Sequence, residues 1–231
     1  MIDHQSHQLA VNRVSKHALE VSKTLQQQGF QAFLVGGCVR DLLLEKTPKD
    51  FDVATNATPQ QVRSLFRRSR LVGKRFQIVH VRFGRSELVE VSTFRKSAIS
   101  QDSKGEIRHS DEGLILRDNL FGTIEEDAFR RDFTINALYY DPSTKQIFDY
   151  VGALADLHNR ELRCIGDPSI RLREDPVRAL RAIRFQAKLG LTLHSSIGAE
   201  LPLMAIKILS VPPARLFDEI QKMFLSGYGE K

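Results

Sequence analysis

The apolar run Ala32-Phe33-Leu34-Val35 stops at Gly36-Gly37, and a helical pattern opens over residues 39–44. Strand, glycine turn and helix in that order commit this part of the chain to an α/β layer. The neighbouring segments extend it. Val14, Ala18, Val21 and Leu25 recur at steps of three and four, which predicts an amphipathic helix over 13–28 that ends at Gly29. A second strand is expected at 51–54, followed by a helix with Thr58 as N-cap, Pro59 in its first turn and Val62, Leu65 and Phe66 facing inward. Residues 77–83 and 87–94 read as two more strands, joined by a hairpin loop at 84–86. The polar, aperiodic stretch 96–113 reads as a mobile, disordered loop. Beyond it come a helix over 124–137 and a strand pair, 138–140 and 147–150, about the Asp141-Pro142-Ser143 turn. After Gly166-Asp167-Pro168 the pattern is all helical, over 176–189, 195–208 and 214–225. The expected fold is a mixed α/β head with a small β-sheet and flanking helices, followed by an all-α neck. Its divisions are an N-terminal helical extension (1–30), a head (31–163) and the neck (164–231).

Composition narrows the classes of function. With 42% hydrophobic and 27% charged residues the balance is globular, and a net charge of +6 favours a polyanionic partner. No apolar run approaches the ~20 residues that span a bilayer, and residues 1–8 are polar, so a soluble, cytoplasmic protein is expected. Cys38 and Cys164 stand far apart and belong to no zinc-type cluster, which fits a reducing compartment.

The chemistry concentrates at Lys49-Asp50-Phe51-Asp52-Val53. In a strand, Asp50 and Asp52 project from one face while Phe51 and Val53 turn to the other. Two hard anionic oxygens side by side suit magnesium, and polymerase-type sites use such carboxylates to hold ions against substrate phosphates. Taken alone, Asp-x-Asp is also a common solvated strand end. Gly36 and Gly37 add free backbone N–H groups that can face a triphosphate, and Arg40, one turn into the following helix, is placed to reach the same anion. The glycines equally suit a plain tight turn. Neither GxGxxG nor GxxxxGK[ST] occurs, which removes the main support for dinucleotide and kinase-like readings.

Leu34-Val35-Gly36-Gly37-Cys38-Val39-Arg40-Asp41 with Asp50-Phe51-Asp52 resembles the first motif of the class II tRNA nucleotidyltransferase and bacterial poly(A) polymerase family, within the polymerase β superfamily. Residues 130–137, Arg-Arg-Asp-Phe-Thr-Ile-Asn-Ala, and the Glu174-Asp175-x-x-Arg178-x-x-Arg181-x-x-Arg184-Phe185 helix resemble two further motifs of that family, in order. The resemblance covers roughly residues 30–230. It implies that Asp132 completes the catalytic set with Asp50 and Asp52, and that Arg131 and Asn136 help hold the incoming nucleotide. It also implies that Glu174, Asp175 and Arg178 read the base and that Arg181 binds its phosphates. Glu90, an acid between Val89 and Val91 in an expected strand, is the rival third carboxylate, with Asp132 preferred. Solvated helix ends and a surface Glu174–Arg178 pair are the plain structural alternatives for these motifs.

Residues 71–80, 116–122 and 212–217 resemble the poly(A) branch. The expected activity is therefore transfer of AMP from ATP to an RNA 3′ end, with two magnesium ions at turnover and RNA as partner. CCA addition to tRNA is the alternative. A binding module without turnover is the second alternative, because family members continue into a further helical body.

Overall fold

The computed structural model describes residues 9–73, 77–84, 87–96, 108–109, 115–117, 121–225 and 227–228. The tip of the expected 84–86 hairpin, most of the expected 96–113 loop, and parts of the 71–80 and 116–122 segments lie outside the described residues.

A seven-stranded mixed sheet forms the head, from β1 (Ala32–Val35), β2 (Phe51–Thr55), β3 (Ser69–Val72), β4 (Ile78–Phe83), β5 (Glu87–Thr93), β8 (Leu138–Asp141) and β9 (Gln146–Asp149). Its order is β3-β4-β5-β2-β1-β8-β9; β2 and β5 run parallel and the other neighbours antiparallel. Strand β3 was not expected from the sequence. β6 (Arg108–His109) pairs with β7 (Ile115–Arg117) inside and beside the stretch expected to be a loop throughout.

One face of the sheet is covered by α1 (Lys16–Gln27) and α3 (Pro59–Leu65). Ser15 caps α1 by accepting the N–H groups of His17 and Ala18, and Ala18, Val21 and Leu25 bury their side chains with Val53, Val79, Val89 and Val91. Thr58 and Gln61 close a reciprocal capping box at the start of α3, behind Pro59. The glycine turn leads into α2 (Gly37–Leu43) through Gly36 at φ +77°, a backbone region that glycine enters without strain.

The expected helix over 124–137 is shorter in the structure: α4 (Ile124–Phe129) ends, and the chain then turns through a short 3-10 segment at Thr134–Asn136. The break lets Phe133 and Ile135 bury completely in the core, which a continuous helix would not allow. After α5 (Ala153–His158) and α6 (Pro168–Glu174), neither of which the sequence marked as a separate element, α7 (Val177–Leu189) runs beneath the head. Its Phe185 meets Phe133 edge-on at 5.9 Å. Gly190, at φ +69°, ends α7. The neck is not purely helical, because β11 (Thr192–Leu193), between α7 and α8 (Ser195–Lys207), pairs in parallel with β10 (Glu161–Leu162) at the end of the head. The last helix, α9 (Pro213–Phe224), packs on α7. No described helix is long and apolar enough to cross a membrane.

Candidate active site

Antiparallel pairing sets Asp52 opposite Val35, the last residue before the glycine turn. The two motifs that are separated in sequence therefore meet at one end of the β1–β2 pair. Asp50 is exposed just ahead of β2, and Asp52 is half-buried. Gly37, Arg40, Asp50 and Asp52 line a cavity of about 890 Å³, together with Arg184 and Lys188 from α7 and Asp218 and Lys222 from α9. A Cβ on Gly36 would meet the Arg131 guanidinium at 3.4 Å, an ordinary contact, so the positive φ rather than crowding calls for glycine there.

Burial pushes the Asp52 carboxyl up to about 6; Glu90 and Asp50 add to the rise, and Arg131 opposes it. Glu90 is in register with Asp52 on the parallel strand β5, so the two acids share a face of the sheet. A half-buried carboxylate crowded by two other acids is a place where a divalent cation relieves repulsion, and hard oxygen donors match magnesium. Among the described residues, however, no three His, Cys, Asp or Glu side chains converge as a metal cage. The fit is to an ion held by one or two carboxylates, with its remaining ligands from water and substrate phosphates, a habit of magnesium.

Asp132 does not face this group. Its Oδ2 accepts from Arg181 Nε at 2.8 Å and lies 2.6 Å from Nη2, while its Oδ1 accepts from the Phe133 N–H at 2.8 Å and from Asn136 Nδ2 at 3.2 Å. Burial alone would raise the Asp132 carboxyl, but the Arg181 guanidinium and these two donors outweigh it and hold the group down to about 2. Asp132 was the preferred third carboxylate on sequence; Glu90 is the acid the sheet puts beside Asp52. Strand register between distant segments sets that neighbour, and sequence spacing does not contain it.

Arg40 lines the first cavity and is also held by the protein itself. Its guanidinium is buried, donates from Nε to Asp41 Oδ1 at 2.8 Å and from Nη1 to Asn136 Oδ1 at 2.5 Å, and stacks 5.3 Å from the Phe185 ring centre. Arg40, Asn136, Asp132 and Arg181 thus form one hydrogen-bonded chain from the glycine turn to α7.

Arg131, Asp132, Asp175, Arg178 and Arg181 line a second cavity, of about 310 Å³, with Arg130, Val177 and Arg215; Asp218, Glu219 and Lys222 of α9 also line it. Asp218 and Lys222 therefore border both cavities. Asp175 accepts Arg215 Nη2 at 2.8 Å on Oδ2, while its buried Oδ1 has no hydrogen-bond partner among the described residues. Glu174 lines neither cavity and accepts from Arg171 Nη1 at 2.8 Å and Arg178 Nη1 at 3.3 Å.

Two organising residues escaped the sequence. Asp127 is buried and accepts from Arg130 Nε at 2.8 Å, Arg131 Nη2 at 2.9 Å, the Tyr139 hydroxyl at 2.6 Å and the Arg95 N–H at 3.1 Å. Arg171 donates from Nη2 to the carbonyls of Arg130 at 2.6 Å and Arg131 at 2.8 Å, clamping the turn that presents Asp132. The three- and four-residue spacing of Asp127 to Arg130 and Arg131 is the signal that points to the first; nothing local points to the second.

Residues 32–163 match the model of the Poly A polymerase head domain, and residues 190–231 match that of the probable RNA and SrmB-binding site of polymerase A. A Poly(A) polymerase I of Haemophilus influenzae is 51% identical over 94% of this chain and 48% of its own length. One of Escherichia coli O157:H7 is 50% identical over 99% of this chain and 49% of its own. A CCA-adding enzyme of Bacillus pumilus is 34% identical over 96% of this chain and 52% of that protein. The crystal structure of the Bacillus stearothermophilus CCA-adding enzyme in complex with CTP superposes with a TM-score of 0.75 at 32% identity, covering 89% of this chain and 47% of that one. The chain spans about half the length of the curated relatives it matches. On the match of its head and the identity over nearly its whole length, the chain belongs to the poly(A) polymerase family of nucleotidyltransferases.

Proposed function

We propose that this chain carries the catalytic head and neck for transfer of AMP from ATP to the 3′-hydroxyl of an RNA. The observation that carries the reading is the meeting of Asp50 and Asp52 with the Gly36-Gly37 turn at one open cavity. Magnesium ions bound there would acidify the attacking hydroxyl and neutralise charge on the departing pyrophosphate. Asp50 and Asp52 are the proposed ligands, and Glu90, on the same face, is the proposed third acid in place of Asp132. Gly37 and Arg40, which line the cavity with Asp50 and Asp52, are the proposed triphosphate contacts, with Arg131 beside the turn and Asn136 bracing Arg40; the Gly36 N–H is spent on the Leu138 carbonyl. Asp175, Arg178 and Arg181 border the cavity proposed to receive the base and phosphates, with Glu174 holding Arg178 in place. Lys188 and Lys222 add positive charge at the mouth of the first cavity. RNA of the messenger or regulatory kind and a cytoplasmic setting complete the proposal.

Adenylate is preferred over CCA addition because identity is 51% and 50% to proteins named Poly(A) polymerase I and 34% to one named CCA-adding enzyme. The likeness to a CCA-adding enzyme in complex with CTP keeps that second reading in the test. Each NTP is supplied separately, with magnesium, to the chain together with an unstructured RNA or a tRNA lacking its terminus. The expected result is ATP-dependent extension of the unstructured RNA, abolished by Asp52→Ala while RNA binding survives. CTP addition to the tRNA overturns the adenylate choice, and binding without incorporation of any nucleotide favours a non-catalytic module.

A further inference from the structure

Between Asp52 and Glu87 the chain contains no acidic residue, yet Arg67, Arg68, Arg70 and Arg82 all fall in that interval. The sheet gathers these residues. Arg70 is in register with His80, His80 with Glu90, and Glu90 with Asp52. Directly opposed residues share a face, so one row of ionisable side chains crosses the sheet from the proposed catalytic acid to the edge strand β3. Arg82 sits on the same face and donates its backbone N–H to the Arg68 carbonyl at 2.9 Å. Val79, Val81, Val89 and Val91 alternate to the opposite, buried face.

At the β3–β4 edge the row opens into a cavity of about 330 Å³ lined by Arg67, Arg68, Arg70, His80 and Arg82, without an acidic side chain. The four arginines are exposed and, among the described residues, none pairs with an acid. That sets them apart from Arg40, Arg131, Arg171, Arg181 and Arg184, each of which is in an ion pair. Like charges held together without internal partners call for an external anion with repeated charges. Three inter-strand spacings separate Asp52 from Arg70, or ~14 Å. At ~3.4 Å of rise per stacked nucleotide that is about four nucleotides, beyond the reach of a triphosphate held at Asp50 and Asp52.

We propose that the β3–β4 edge is a phosphate-binding track for single-stranded RNA, gripping the strand about four nucleotides upstream of the 3′ end that reacts at Asp52. The proposal rests on the reaction put forward above, and its test reads binding separately from incorporation. The whole 231-residue chain is compared with an Arg68→Ala/Arg70→Ala/Arg82→Ala variant and with the matching triple lysine variant. Binding of a fluorescent RNA of about twelve nucleotides and of a trinucleotide is followed by anisotropy across a salt series.

Three phosphate contacts at ~0.7 each make the slope of log K against log salt shallower by about 2 in the alanine variant on the long RNA. Affinity for that RNA is expected to fall at least about tenfold at low salt, with the lysine variant keeping the slope and the trinucleotide unaffected. An unchanged slope and affinity on the long RNA overturns the track and leaves the patch to an acidic protein. An equal loss on the trinucleotide overturns its upstream position. Incorporation of AMP by the unaltered chain, scored in parallel, reports on the reaction alone.

Discussion

Asp127 is buried and ionised at once. Burial pushes its carboxyl up, but Arg131, Arg130 and the Tyr139 hydroxyl more than reverse this and hold it well below the usual carboxylate range. Such an acid adds stability that is complete above the ordinary unfolded value near 4 and is lost as pH falls through the lower folded value, because the unfolded chain binds the proton first. Asp127→Asn removes the charge while keeping the shape, leaving two guanidinium groups without their counter-ion. Urea unfolding at pH 7 is expected to show a loss of about 3–5 kcal/mol, and the gap to the unaltered chain is expected to narrow below about pH 4. Equal midpoints at pH 7 would sink this account. That Asp50 and Asp52 would lie close together was legible without the structure from their spacing of two, and both line one cavity, although Asp50 sits just ahead of β2. For Asp127 the spacing to Arg130 and Arg131 hints at the pairs, but its burial and its bonds to Tyr139 and the Arg95 N–H come from the tertiary fold.

The break after α4 shows how an element is decided. Local pattern favoured one helix over 124–137, but α4 stops at Phe129. The turn that follows buries Phe133 and Ile135, bridges Phe133 to Cys164, and aims Asp132 at Arg181. Tertiary burial of two large side chains outweighs the hydrogen bonds that further helix would add. Phe133→Ala is expected to cost about 3–5 kcal/mol, read as a lower denaturation midpoint, because the ring is fully buried against Phe185. A midpoint within experimental error of the unaltered chain would show that the turn does not depend on that anchor. On α7, Arg178, Arg181 and Arg184 repeat every third residue, a spacing that lays side chains along one slowly turning face. The structure separates them: Arg178 bonds the Arg171 carbonyl and Glu174, Arg181 takes Asp132, and Arg184 takes Glu219.

In the whole molecule, α9 closes the floor of both cavities, and one buried contact joins it to α7. Glu219 is buried and accepts from Arg184 Nε, with Arg181 Nη1 at 3.7 Å. Glu219→Ala leaves Arg184 buried without its partner and is expected to cost about 3–5 kcal/mol, whereas Arg184→Met/Glu219→Leu is expected to recover most of it. Urea midpoints of the two variants check this, and a destabilised double variant would mean that the pair contributes through something other than its buried charge. The strand–turn–helix unit at β1–α2, the spacing of the carboxylate pair, the Thr58 cap and the strands β2, β4, β5, β8 and β9 follow from local periodicity and backbone preference, so the sequence determined them by itself. Only the tertiary structure decided that Glu90 stands in register with Asp52, that Arg40 bonds Asn136, and that arginines of two strands gather at the β3–β4 edge. Those outcomes depend on strand register and on which distant surfaces bury each other. Both are set by the free energy of the assembled fold, and no single segment contains them.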